Sequence, residues 1–172
     1  MKKTLVGFFT GSAIAVCIII AVTSYQLYKN KYATIDPKLK EISGIEFDKK
    51  NKLWAINDGG DEAKLYQINK NGNIDREITV TNAKNIDWED MTQDDFGHFF
   101  LGDFGNNHNL RKWLTIYKIE NPIDIKSATT EAEIIKFTYP EHTSFPPEAD
   151  EMEFDLEAFV FYKEHLYLFT KN

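Results

Sequence analysis

Residues 41–58, EISGIEFDKKNKLWAIND, carry two short β-type runs, Ile42 to Phe47 and Leu53 to Asn57, separated by polar turn residues. The same pairing returns at 87–103, DWEDMTQDDFGHFFLGD, and again at 155–171, DLEAFVFYKEHLYLFTK. Superposed, Ser43, Glu89 and Glu157 share one position. Asp58, Asp103 and Lys171 share another, at separations of 15, 14 and 14 residues.

Working outward, Lys64 to Asn69 and Ile74 to Val80 follow the first pair, with Asn71-Gly72 between them as a strong hairpin signal. Four strands in about 40 residues without helical periodicity read as an antiparallel meander, the size of one propeller blade. Leu114 to Glu120 and Glu133 to Tyr139 supply the third and fourth strands of the second unit. The fold class expected is therefore all-β: a β-propeller of four-stranded antiparallel blades, with about two and a half blades present. A meander of this kind cannot bury its own faces, so blades stack radially, and propellers typically have 4–8 of them. The expectation is a longer design interrupted after the strand Leu166 to Phe169, or one completed by a second chain through open blade edges.

The chain has 172 residues, with 20 Lys+Arg against 27 Asp+Glu. Thr4 to Leu27 contains no charged residue, and every acid lies beyond it. From Ala33 onward the 16 basic and 27 acidic residues leave a net charge of about −11, which repels phosphate backbones and excludes a nucleic-acid binder. Lys2 and Lys3 followed by 24 uncharged residues, roughly 36 Å of helix, match a transmembrane anchor. A secretory signal cut near Val22-Thr23-Ser24 is the alternative. The expected division is 1–28 signal-anchor or transmembrane helix, 29–40 linker and 41–172 partial propeller, placed outside the cytoplasm on a single-pass anchor. Cys17 has Val16 before it and an apolar run after it, which suits a membrane residue better than a lipidation site.

In an antiparallel meander the start of strand one and the end of strand two share an edge. Asp58, Asp87, Glu89, Asp103, Asp155 and Glu157 should then converge on one face of the ring. Carboxylates at close range cannot all stay ionised without a counter-charge. A hard cation held by oxygens answers that need, with Asn57, Asn106 and Asn107 as neutral ligands. Calcium is favoured over zinc because clustered His or Cys ligands are absent. The same acids also suit turns and clasps for backbone N–H groups, and that reading stays open. Arg111, Lys112 and Lys171 are candidates for a small anionic ligand, or for ion pairs with the acids. His108 alone among the histidines follows a second strand on that face. Glu141 to Glu153 reads as a solvated loop, and Trp54, Trp88 and Trp113 as core or blade-interface residues.

Ile42-Ser-Gly-Ile45, Trp54-Ala-Ile-Asn-Asp-Gly-Gly-Asp61, Asp87-Trp-Glu-Asp90, Gly102-Asp-Phe-Gly-Asn-Asn107, Ile116-Tyr-Lys-Ile-Glu120 and Asp155-Leu-Glu-Ala158 together resemble secreted bacterial six-bladed β-propellers of the NHL-like or phytase-esterase-like kind. The resemblance covers about Lys40 to Asn172. It implies about six blades and export, and it matches Asp58, Glu89, Asp103 and Glu157 to the group's acidic motif positions. Later blades of the pattern are missing, and Asn106 stands where an acid is common. Two functions follow as expectations: a ligand- or partner-binding module stabilised by calcium, or a calcium-dependent hydrolase of phosphate esters or lactones acting through metal-bound water.

Overall fold

Asp48 shows why the first hairpin closes where it does. Its Oδ1 accepts the Lys50 and Lys52 amides at 2.8 and 3.0 Å, and its Oδ2 accepts Trp54 Nε1 at 3.0 Å. Asn51 completes the turn at φ 56°, in the left-handed region that Asn tolerates. Asp94 repeats the device in the second unit. There Oδ1 accepts the Phe96 and His98 amides at 3.0 and 2.8 Å, and Gly97 takes the left-handed position.

The computed structural model describes residues 9–31 and 34–171, and within the N-terminal helix the side chains of Val16 and 18–28. It divides into two compact units, Met1–Thr34 and Ile35–Asn172. The first contains helix α1, Phe9–Lys31. Among the described residues no helix is long and apolar enough to cross a membrane, so the expected transmembrane span over Thr4 to Leu27, much of which lies outside the described side chains, is not supported. Met1–Phe8 and the Cys17 side chain lie outside the described residues.

The second unit is built of antiparallel sheets in a propeller-like arrangement. After a 3₁₀ turn at Pro37–Leu39 come β1 (Ile42–Phe47), β2 (Leu53–Asn57), β3 (Lys64–Ile68) and β4 (Ile74–Val80), paired in that order. Next are β5 (Trp88–Gln93), β6 (Phe99–Asp103) and β7 (Leu114–Ile119), with β8 (Thr129–Thr130) and β9 (Glu133–Phe137) following. β9 closes the second sheet in the order β5-β6-β7-β9, whereas β8 leaves it and pairs in parallel with β4 at the edge of the first. β10 (Asp155–Tyr162) and β11 (His165–Lys171) form a third, two-stranded sheet. Among the described residues the sheets do not close into a ring.

Each first strand carries a bulge at the same point. Pairing jumps from Ile42↔Asn57 to Gly44↔Ile56, from Trp88↔Asp103 to Asp90↔Gly102, and from Leu156↔Thr170 to Ala158↔Phe169. The skipped residues are Ser43, Glu89 and Glu157, so the repeat seen in the sequence is a repeated backbone irregularity that re-aims one side chain per sheet. The register corrects the second superposition. Asp103 is equivalent to Asn57 and Thr170, and it is Phe104 that aligns with Asp58 and Lys171.

Neighbouring sheets are joined through their first strands. Gln93 Nε2 donates to Phe47 O at 2.8 Å, the Phe159 amide donates to Asp90 Oδ2 at 3.0 Å, and the Phe161 amide to Thr92 Oγ1 at 3.3 Å. Two cores fill the gaps between sheets. Trp54 and Ile56 meet Trp88, Met91 and Leu101 in one; Phe100, Phe104 and Ile116 meet Leu156 and Phe159 in the other. Trp113, expected in a core or interface, is exposed, because it lies in the link before β7 rather than on a strand.

Arg76 fastens the excursion that carries β8. Its guanidinium lies over the Trp54 ring and donates to Pro122 O, Ile125 O and Ser127 O at 2.9, 2.5 and 2.9 Å. Farther along, the segment between β9 and β10 is not wholly solvated. His142 is buried between Phe145 and Phe154, with Nε2 3.0 Å from Asn109 O.

Candidate cation site

Asp87 enters β5 with its amide donated to Asp103 Oδ1 at 2.9 Å, while its carbonyl accepts the Phe104 and Gly105 amides at 3.1 Å each. This lattice fixes the end of β5 against the end of β6. Asn85 ties in the end of β2, donating from Nδ2 to Asn57 O at 3.0 Å and to Asp58 O at 2.9 Å. The bulge then turns Glu89 to the same end. As a result Asp58, Asp87 and Glu89 each place a carboxylate oxygen within 4.8 Å of the others.

Two glycines make the closeness possible. A Cβ on Gly105 would stand 2.2 Å from Glu89 Oε1 and 2.4 Å from Asp87 Oδ2, and one on Gly59 would stand 2.6 Å from Asp87 Oδ1. Both glycines thus leave the space that the carboxylates occupy.

Electrostatics follow from burial and crowding. Burial, then the charges of Asp58, Asp87, Glu157 and Asp155, push the Glu89 carboxyl up to about 8. Burial and Asp58 also raise Asp87, with Arg111 opposing. Among the described residues no lysine or arginine forms a salt bridge with Asp58, Asp87 or Glu89. Such an all-oxygen, half-buried triad takes up either a proton or a hard cation.

The other sequence-identified residues are placed differently. Asp103 is fully buried, and burial raises its carboxyl despite Arg111, whose Nη2 lies 3.1 Å from Oδ1. Arg111 also donates to Gly105 O and Asp103 O at 2.8 and 3.0 Å, so its guanidinium braces the loop after β6. Asn106 is buried with Oδ1 accepting the Arg111 amide and its own amide donated to Asp155 Oδ1, both at 2.8 Å. Lys171 bridges Asp155, at 3.3 Å, and Glu157. These two carboxylates therefore have their own counter-charge, and both raise the lysine. His108, Lys112 and Asn107 are exposed. Sequence reasoning missed the roles of Asn85, Gly59 and Gly105; the Gly-Asn-Asn at 105–107 pointed to Asn ligands and not to the space that Gly105 leaves.

No family model and no curated protein matches the sequence. Among solved structures the chain is similar to a selenomethionine-substituted virginiamycin B lyase from Staphylococcus aureus, at 17% identity and a TM-score of 0.45, over 80% of this chain and 36% of that one. The chain thus spans about a third of that protein's length.

Proposed function

We propose that the protein is an extracytoplasmic binding module whose sheet stack is held by a divalent cation, calcium, between Asp58, Asp87 and Glu89. The observation that carries this reading is the triad itself: three carboxylates from two different sheets within 4.8 Å, with no basic side chain paired to them among the described residues. A cation there would link the end of β2 to the start of β5 with oxygen donors alone, as calcium prefers. The likeness of the acidic motifs to NHL-like propellers supports Asp58 and Glu89 among these ligands, and the apolar run behind Lys2 and Lys3 supports export. Hydrolysis is the weaker reading, because two of the three cations that would steady an anionic substrate are already engaged, Arg111 with Asp103 and two carbonyls and Lys171 with Asp155 and Glu157.

Thermal melting of the full chain with calcium or with chelator tests the proposal. A ligand that binds only the folded state stabilises it by about 2.7 kcal/mol at 100 times its Kd. Identical curves at millimolar calcium would refute it.

A further inference from the structure

The Pro37–Leu39 turn, the link from β2 to β3 and strands β3 and β4 line a cavity of about 250 Å³ that shares no residue with the triad Asp58, Asp87 and Glu89. It falls below the roughly 300–1,000 Å³ of drug-sized ligand sites, so it suits a small solute. Its walls are tied together. Asn57 Nδ2 donates to Lys38 O at 2.7 Å and to Asp61 Oδ2 at 2.5 Å, and Lys38 Nζ lies 2.6 Å from Glu77 Oε1. Tyr66 supplies the observation that points to a ligand. The residue is only 3% exposed and lines the cavity, yet among the described residues its hydroxyl makes no hydrogen bond. Burial, then the charge of Asp61, push that hydroxyl up to about 12, so it stays protonated and keeps a donor for an acceptor that enters. A buried donor without a partner is unfavourable, and a ligand oxygen in the cavity would complete it.

The charges around the hydroxyl cancel, on a chain that is strongly acidic elsewhere. Lys38, Lys40 and Lys64 stand with Asp61, Glu62 and Glu77, three of each sign. Lys64 is paired with Glu62 and Glu77, and Lys38 with Glu77. Lys40 and Asp61 are the two lining charges that form no salt bridge among the described residues. Lys40 nevertheless acts on Asp61: burial opposes the Asp61 charge, while the Asn57 amide, the Glu62 N–H and then Lys40 lower its carboxyl. A cation and an anion on one cavity, each felt by the other but not in contact, leave room for a molecule that carries both signs. We infer that this cavity takes a small zwitterion of the α-amino-acid kind, its ammonium against Asp61 and its carboxylate held by Lys40 and the Tyr66 hydroxyl. An anion alone would meet three carboxylates and a cation alone three ammonium groups, whereas a zwitterion offers each its complement.

The test follows the isotope-labelled full chain by NMR during titration with glycine, L-alanine, L-serine and L-threonine. Chelator is present throughout, so the result does not depend on the triad. The backbone amides of Glu62, Lys64 and Tyr66 should shift and saturate at millimolar concentrations of at least one of the four. Acetate and ethylammonium, which carry one sign each, should bind at least tenfold more weakly. Tyr66→Phe removes a hydroxyl that has no partner in the protein, so circular dichroism and melting should be unchanged while binding weakens at least fivefold. Asp61→Asn should weaken it at least tenfold. The wild-type titrations stand whether or not either variant folds. No saturable shift with any of the four at tens of millimolar, acetate or ethylammonium binding as tightly as the amino acid, or full affinity in either folded variant would each overturn the inference.

Discussion

Gly105 faces Glu89 so closely that a methyl group on the glycine would lie 2.2 Å from the carboxylate Oε1. Both residues sit at the same end of the second sheet, and the absence of a side chain on one creates room for the charge of the other. Gly105→Ala should push the Glu89 and Asp87 carboxylates out of the triad. The calcium-dependent rise in melting temperature should shrink to less than half that of wild type, as scanning calorimetry would record. An undiminished rise would remove Gly105 from any part in the site.

Glu89 also sets a pH dependence. Its folded carboxyl titrates at about 8 against an ordinary value of 4.5, so the folded chain holds this proton more tightly than the unfolded one. Stability from this group is fully present below pH 4.5 and is lost as pH rises through 8. In chelator, denaturant midpoints should fall between pH 5 and 8, and Glu89→Gln should flatten that slope. A wild-type slope of the opposite sign would count against the crowding of acids around Glu89.

Asp94 carries the reverse sign. Burial works against its charge, but the His98 ring and amide hold its carboxyl below the ordinary range. Its contribution is present above pH 3.8 and is lost as pH falls through the lowered folded value. Asp94→Ala leaves the Phe96 and His98 amides without their acceptor and should cost about 1–3 kcal/mol in urea unfolding at pH 7.

Arg76→Ala should release the excursion between β7 and β9. Three carbonyls lose a charged donor, and the amides of Thr79 and Thr81, which donate to Ala128 O and Thr130 O, should exchange with solvent at least tenfold faster. The expected loss of stability is about 2–3 kcal/mol, since hydrogen bonds to charged groups are worth roughly 1.5–3 each and the freed carbonyls regain water. Unaltered exchange at both amides would show that the short pairing of β4 with β8 holds without the arginine.

Strand positions were legible because β-forming runs and turn residues are local signals. Asn71-Gly72 marked its hairpin, and Gly72 takes φ 86° there. The recurrence of Ser43, Glu89 and Glu157 was legible for the same reason, whereas its cause, a bulge, shows only in the pairing. The bulge is common to all three first strands, so it does not shift the count; matching charged residues at separations of 15, 14 and 14 is what placed Asp103 one position away from its true equivalents, Asn57 and Thr170. Proximity of Asp58 to Glu89 followed from meander geometry, but the side-chain amide of Asn106 was committed to backbone groups and the guanidinium of Arg111 to two carbonyls and the Asp103 carboxylate, partners that no spacing reveals. β8 was hidden by distance along the chain: two threonines make no strand signal by themselves.

The parallel pairing of Thr79 with Thr129 has a consequence for the order in which the protein is made. About fifty residues of further synthesis separate the edge of the first sheet from the strand that covers it. Until they emerge, β4 offers open hydrogen-bonding groups to any passing strand. Once they arrive, the second sheet cannot be torn from the first without unlacing this seam, a tie beyond the shared core and first-strand hydrogen bonds that hold the hairpin β10–β11 to the second sheet.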